Sequence, residues 1–305
     1  MLKLLFRIIL IAVLSFACMF GYDLWKERRS QPQIAAPQQQ AQEHKKADKD
    51  ISTPPKQART EKASEEAAAR KKEKSIVKSV FLAILPERST WPEPAQKFYL
   101  LTNMEDVIDP IRAKSDWVSL TQMSQDIPHA LIAIEDHNFY NHGAISTESI
   151  IRAFLVNISA GKVVQGGSTL TQQLVKNIFL SPEQTFGRKA EELFFSLVLE
   201  HQYSKDEILE LYLNTTYFGA GSNGISQACQ KYFGKAPAKV NLAEAAVIAA
   251  LPYAPSLLNP LENPGECKKR QTLVLKKMQS TGFISEAQYK EALAQRIWLS
   301  NGKVL

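Results

Sequence analysis

The stretch "IPHALIAIEDHNFYNHG", Ile127 to Gly143, decides how the chain folds. Pro128 stands where a first helical turn accepts it, and apolar residues recur at three- and four-residue spacing through Ile134. That pattern predicts a helix with Glu135 in its last turn. Two acids, two histidines and two aromatics then crowd into the nine residues from Glu135 to Gly143. A carboxylate set against apolar neighbours has its pKa raised toward the range of a general base or acid. An exposed acid at a helix end, solvated by His137 and Asn138, would give the same local sequence, and both readings stay open at this point. His137 and His142 are five residues apart and form no HExxH pair, so a histidine metal site is not indicated.

Outward from this stretch the helical pattern continues. "TESIIRAFLVNISA" has Thr147 placed as a cap and an amphipathic run ending before Gly161. "STLTQQLVKNIFL", "TFGRKAEELFFSLVLEHQY" and "SKDEILELYLNTTYF" follow, the last with Ser204 and Glu207 in capping-box spacing. "NLAEAAVIAALPYAP", "CKKRQTLVLKKMQSTGF" and "SEAQYKEALAQ" complete the series. Upstream, "FYLLTNMEDVI" reads as a short strand or an irregular entry segment. No glycine-rich turn sits in a βαβ pattern, and no alternating strand series is present. The chain is predicted to be mainly α.

The N-terminal part is of another kind. Leu4 to Tyr22 is apolar except for Arg7, and nineteen residues reach about 28 Å as a helix, near the hydrocarbon thickness of a bilayer. A transmembrane anchor over 4–22 is expected, behind a short N-terminus of residues 1–3. Residues 23–78 read as a charged stalk, with almost no large apolar side chains from about 30 to 75. Between Gln42 and Lys74 there are ten Lys or Arg against seven Asp or Glu, a balance unlike that of a nucleic-acid tail. The globular domain is placed at 79–305. Lys3 and Arg7 precede the apolar run while Lys26, Arg28 and Arg29 follow it, so charge alone does not orient it. The 305 residues with a net charge of +6 suit one sizeable domain plus appendages and select no partner. Cys18, Cys229 and Cys267 have no metal-ligand spacing, and a single Cys229–Cys267 bridge stays open.

Two further clusters bear chemistry. In "QGGSTLTQQLVKN", Gln165 to Asn177, five polar side chains from Ser168 to Gln173 exceed what a helix cap needs. They suit a groove for a hydroxyl- or amide-rich ligand such as a sugar; a capped helix with one wet face is the plainer reading. The spacing is not that of a nucleotide-binding loop. In "FGRKAEE", Arg188 and Lys189 lie four and three residues before Glu192 and share a helical face with it. This is an ordinary surface ion pair or a site where cations neutralise a diphosphate. Lys176 on the preceding helix adds to the positive field. Tyr212, Asn214 and Tyr217 are candidates for a cleft rim, and the two tyrosines read equally well as satisfied core residues.

In order and wording these stretches resemble the peptidoglycan glycosyltransferases of family 51. The motifs are "EDHNFYNHG", "GGSTLTQQ", "RKAEE", "KDEILELYLN" and "RQTLVLKKM" from Arg270 to Met278, and the likeness covers about residues 115 to 290. The resemblance implies a lysozyme-like helical lobe with a smaller membrane-associated jaw, preceded by one transmembrane helix. It implies a single-pass protein of the bacterial plasma (inner) membrane with its domain on the outer or periplasmic side. The implied activity is polymerisation of lipid II into β-1,4 glycan strands with release of undecaprenyl pyrophosphate. Carried over residue by residue, Glu135 is the general base and Glu192 the second essential carboxylate, acting directly or through a divalent cation (Mg or Mn). Lys176, Arg188 and Lys189 hold pyrophosphate. Ser168, Thr169, Gln172, Gln173 and Asn214 are the further substrate-binding candidates. The implied partners are lipid II, the growing lipid-linked glycan chain, membrane lipids and other cell-wall-synthesis proteins, with no nucleic acid. Gln184 departs from the pattern, standing where many relatives carry a phosphate-gripping arginine. "AIS" after Gly143 and "SNGIS" after the fourth motif also differ. No SxxK–SxN–KTG set is present, so a monofunctional polymerase without a transpeptidase is expected. The alternatives are a glycan-cleaving lytic transglycosylase or muramidase, which has no use for Arg188 and Lys189 beside Glu192, and a non-catalytic scaffold.

Overall fold

A computed structural model describes residues 90–162, 166–180 and 186–305. The chain divides between Ala83 and Ile84, and all the described residues lie in the second unit, Ile84–Leu305. Eleven α-helices run through them: α1 Glu93–Thr102, α2 Glu105–Arg112, α3 Asp126–Glu135, α4 Thr147–Ala160, α5 Leu170–Ile178, α6 Phe186–Gln202, α7 Lys205–Thr215, α8 Ile225–Phe233, α9 Leu242–Ala250, α10 Pro264–Ser280 and α11 Glu286–Ala294. The only β pairings among the described residues are the isolated bridges Tyr217–Asn223 and Trp298–Val304. The mainly helical architecture follows the apolar periodicity.

The core forms around α3 and α9. Every residue from Ala243 to Ala250 is buried, and so are six of the ten residues of α3. Five alanines in α9 let it approach closely both α3 and α10, the two helices it packs on most. Asn241 and Glu244 close a capping box at its start, and the buried Glu244 carboxylate takes an ion pair from Lys235 at 2.6 Å. Without that partner the acid would be a costly buried charge.

A second layer holds α5 against α6 and α7. The capping boxes Thr169–Gln172 and Ser204–Glu207 start α5 and α7, the second as its spacing predicts. Ser146, not Thr147, caps α4, because its hydroxyl reaches the Ser149 amide at 3.1 Å. That helix stops at Gly161, whose φ of 63° is left-handed. Its apolar residues Ile150, Ile151, Phe154, Leu155 and Ile158 are exposed. The entry segment is helical rather than extended. Pro92 presets the backbone before α1, and Tyr99 ties α1 to α2 by donating to Asp106 at 2.6 Å.

The transmembrane expectation is corrected. Among the described residues no helix is long and apolar enough to cross a membrane. The longest, α6 and α10, have 17 residues and are studded with charge, whereas a span needs about 20 apolar residues. The anchor over 4–22 and the stalk over 23–78 lie outside the described residues. The transmembrane part of the expected fold, the membrane-associated jaw and the single-pass inner-membrane location therefore have no support in this structure. Cys229 and Cys267 are buried free thiols.

One turn is set by glycine. Gly224 has φ 88°, donates to Thr216 O, and would place a Cβ 2.6 Å from the Asn214 carbonyl oxygen. Gly221 has φ 76° but open space around its Cβ position. Gly221→Ala is expected to cost about 1 kcal/mol through φ alone. Gly224→Ala adds a backbone clash and should cost about 2 kcal/mol or more, which paired urea-unfolding curves would check.

Candidate active site

Glu135 is the last residue of α3, and the sharp exit there is made by its neighbour. Asp136, 3% exposed, accepts from the Leu170 amide at the start of α5 at 3.0 Å and faces His142 Nε2 at 2.7 Å. His142 Nδ1 lies 2.6 Å from the Gly143 carbonyl oxygen, and Phe139 is fully buried beneath the loop. His137 instead faces α4, within 3.4 Å of Arg152 and 3.8 Å of Glu148. Burial, with Arg152 second, holds its pKa below the usual histidine value.

Glu135 is half-buried and accepts a hydrogen bond from Gln173 Nε2 at 3.0 Å. Gln173 Oε1 in turn accepts from the hydroxyl of the buried Tyr212 at 3.0 Å. Burial pushes the Glu135 carboxyl above the ordinary glutamate range. The Gln173 hydrogen bond and the charges of Arg270 and Lys176 work against that, and Asp136 adds to it. Beside this chain lies a cavity of about 340 Å³ lined by Gln173, Lys176, Tyr212, Thr216, Tyr217 and Asn223, among others. The buried Thr216 hydroxyl stands within reach of the Tyr212 phenol.

Glu192 forms a second centre. It is 3% exposed, and both its oxygens are occupied: Oε2 by Arg188 at 3.3 Å and Oε1 by Lys189. Lys189 also donates to Ser168 Oγ at 3.1 Å, joining the loop before α5 to α6. The Glu192 carboxylate is already paired with two cations, and among the described residues no group of three or more His, Cys, Asp or Glu side chains could hold a metal.

The candidates from the sequence therefore fall into three groups. Glu135 and Gln173 are joined, with Lys176 on the shared cavity wall. Ser168, Arg188, Lys189 and Glu192 are joined. Thr169, Gln172 and Asn214 are engaged by the fold. Thr169 and Gln172 cap α5, and Thr169 donates to Ala144 O at 3.0 Å. Asn214 clasps both the amide and the carbonyl of Val118, at 2.9 and 2.8 Å. Gln184 lies outside the described residues. Asp136 and Arg270 act on Glu135 although the sequence gives neither a site role, and Tyr212, a rim candidate, joins the chain through Gln173. Asp136 was signalled only by its place beside Glu135, and Arg270 only as the head of the fifth motif. Its guanidinium stacks 4.1 Å from the Tyr253 ring centroid.

Residues 104–279, more than half of the chain, match the family model described as Transglycosylase. The chain belongs to this transglycosylase family, glycosyltransferase family 51, and its domain is homologous to the glycosyltransferase domains of penicillin-binding proteins. Penicillin-binding protein 1A of Aquifex aeolicus is 44% identical over 180 residues, 59% of this chain and 25% of that protein. A Cupriavidus necator protein with a provisional transglycosylase designation is 39% identical over 194 residues, 64% of this chain and 84% of that protein. The structure of penicillin-binding protein 1A from Haemophilus influenzae is 27% identical, with a TM-score of 0.37 over 60% of this chain and 18% of that one. The chain spans about a quarter of the length of the penicillin-binding proteins it matches.

Replacing Asp136 by Ala removes the acceptor of the Leu170 amide and the partner of the His142 ring together. The expected result is a loss of about 1–3 kcal/mol in urea unfolding, the cost of buried polar groups left unsatisfied.

Proposed function

We propose that the chain is a peptidoglycan glycosyltransferase that joins lipid II units through β-1,4 bonds and releases the polyprenyl diphosphate. The observation that carries this reading is the division of charge. One acid, Glu135, is raised toward neutral pH by burial beside a polar cavity, while the other, Glu192, is clasped by Arg188 and Lys189. Family membership supplies the transfer chemistry with which the division agrees.

In this reading Glu135 removes the proton from the 4-hydroxyl of the acceptor sugar. The freed oxygen attacks C1 of the growing chain from the face opposite the diphosphate, which inverts an α linkage to β. The C1–O bond breaks and its electron pair leaves with the diphosphate. A diphosphate is a fair leaving group, so it needs charge stabilisation more than a full proton. Glu192 holds Arg188 and Lys189 in register for that charge, with Ser168 alongside. No step requires a metal ion. An acid raised above its ordinary range and a pair of fixed cations call for opposite electrostatic settings, and here they belong to different helices, α3 and α6.

Incubation of the detergent-solubilised protein with labelled lipid II tests this directly. The wild type should form polymer, and Glu135→Gln should lower the rate by about a hundred- to ten-thousand-fold while the fold is retained. The base works only when ionised. Its raised pKa should therefore place the acid limb of the pH–rate profile above the usual glutamate range, with activity rising as pH rises through it. Polymerisation by Glu135→Gln at the wild-type rate would remove Glu135 from the mechanism. Shortening of preformed glycan strands without polymer from lipid II would replace synthesis by cleavage.

A further inference from the structure

The hydrogen-bond chain from Tyr212 through Gln173 to Glu135 has a direction. The phenol donates to Gln173 Oε1, and Gln173 Nε2 donates to Glu135 Oε2. A primary amide fits nearly the same space when turned over, with donor and acceptor ends exchanged. Here the turned amide would set its oxygen against the carboxylate. It would also offer an NH2 group to the phenol, whose own proton would then have to leave Gln173 and turn to the Thr216 hydroxyl. Tyr212 is 1% exposed, so water does not replace Gln173 as its acceptor readily. Tyr212 thereby weights the one orientation of Gln173 that donates to Glu135.

The consequence falls on the two carboxylate oxygens. Oε2 is occupied, and Oε1 accepts no hydrogen bond among the described residues. We propose that Tyr212 and Gln173 are positioning residues that reserve Glu135 Oε1 for the proton of the acceptor hydroxyl by holding Oε2 in a hydrogen bond of fixed direction. The assignment rests on the glycosyl-transfer reading above. In the step it serves, the acceptor O–H bond breaks and its proton goes to Oε1. The O–C1 bond forms as the C1–O bond to the diphosphate breaks, and that electron pair departs with the diphosphate.

A hydrogen bond to an ionised carboxylate favours the ionised form. The chain thus counters the burial that raises the Glu135 pKa and keeps more of the base in its working state. Other groups act on Glu135 from every side: Asp136 from the adjoining loop, Lys176 from α5 and Arg270 from α10. All three remain when Tyr212 loses its hydroxyl. A change in the pH profile of that variant would therefore come from the amide.

The test measures kcat, KM and the pH dependence of lipid II polymerisation by the full chain, its Tyr212→Phe variant and its Gln173→Glu variant. For Tyr212→Phe the expected result is a kcat about five- to ten-fold lower with KM within about two-fold, the loss of one buried hydrogen bond. The acid limb should move to higher pH by about half a pH unit or more. Gln173→Glu, with a like charge in place of the amide, should move the limb further in the same direction. It carries the comparison alone if Tyr212→Phe does not fold. An active wild type together with an unmoved acid limb in the variants would overturn the positioning role. So would a loss confined to KM. A wild type that makes no polymer would sink the glycosyl-transfer reading itself, and this assignment with it.

Discussion

The carboxylate of Asp136 ties the end of one helix to the beginning of another. Its Oδ2 accepts the first amide of α5, a donor no intrahelical carbonyl satisfies, and a negative charge there also meets the positive end of the helix dipole. Its Oδ1 faces His142, which turns the chain back from α3. With both oxygens engaged, the residue before it, Glu135, is brought within reach of α5. Gln173 lies one turn further along that helix, on the side that meets Glu135. A shift of α5 along its axis would pull the amide away from the Glu135 carboxylate. The cap Thr169–Gln172 and the Thr169 bond to Ala144 guard against that shift at the same point.

The two acid centres differ in how their charge is tolerated. Glu192 is almost wholly buried and remains affordable because a guanidinium and an ammonium sit on it. Glu135 has no ion pair within 4.0 Å among the described residues, only a neutral amide and more distant cations, so burial prevails and its affinity for a proton rises. The neutral partner matters. A lysine in place of Gln173 would pull the pKa down, whereas an apolar residue would leave only the charges of Arg270 and Lys176 to oppose burial and would raise it further. The amide lies between these limits.

Much of this was legible in the sequence where the signal is local. Ser204 with Glu207, Gly161 as a stop and the apolar spacing of α3 depend on neighbours within a turn, and the structure has them as read. Reading failed where a choice depends on distant atoms. Ser146 and Thr147 are both good caps, and only the path of the loop decides between them. The strand-like "FYLLTNMEDVI" is helical because Pro92 and the Tyr99–Asp106 bond outweigh its aromatic and β-favouring residues. The polar crowd from Ser168 to Gln173 looked like one ligand surface. It divides into a cap, a bond from Thr171 to Glu200 at 2.5 Å, and two residues, Ser168 and Gln173, that reach the acid centres. Spacing cannot show that division, since adjacent helical residues differ by about 100° in direction.

The same dependence on distance explains why Tyr212 was open to two readings, core tyrosine and cleft rim. It is both: its ring is buried in the core, and its hydroxyl ends on Gln173 beside the cavity. A phenol suits this place because it fills core volume while carrying one directed polar group. Its deep burial, with the charge of Glu135 second, holds the phenol far above its ordinary pKa, so it stays a donor throughout the pH range in which Glu135 titrates. An ionisable group made effectively permanent in one state can orient a second group that must change state. On that footing Tyr212 of the fourth motif acts on Glu135 of the first through Gln173.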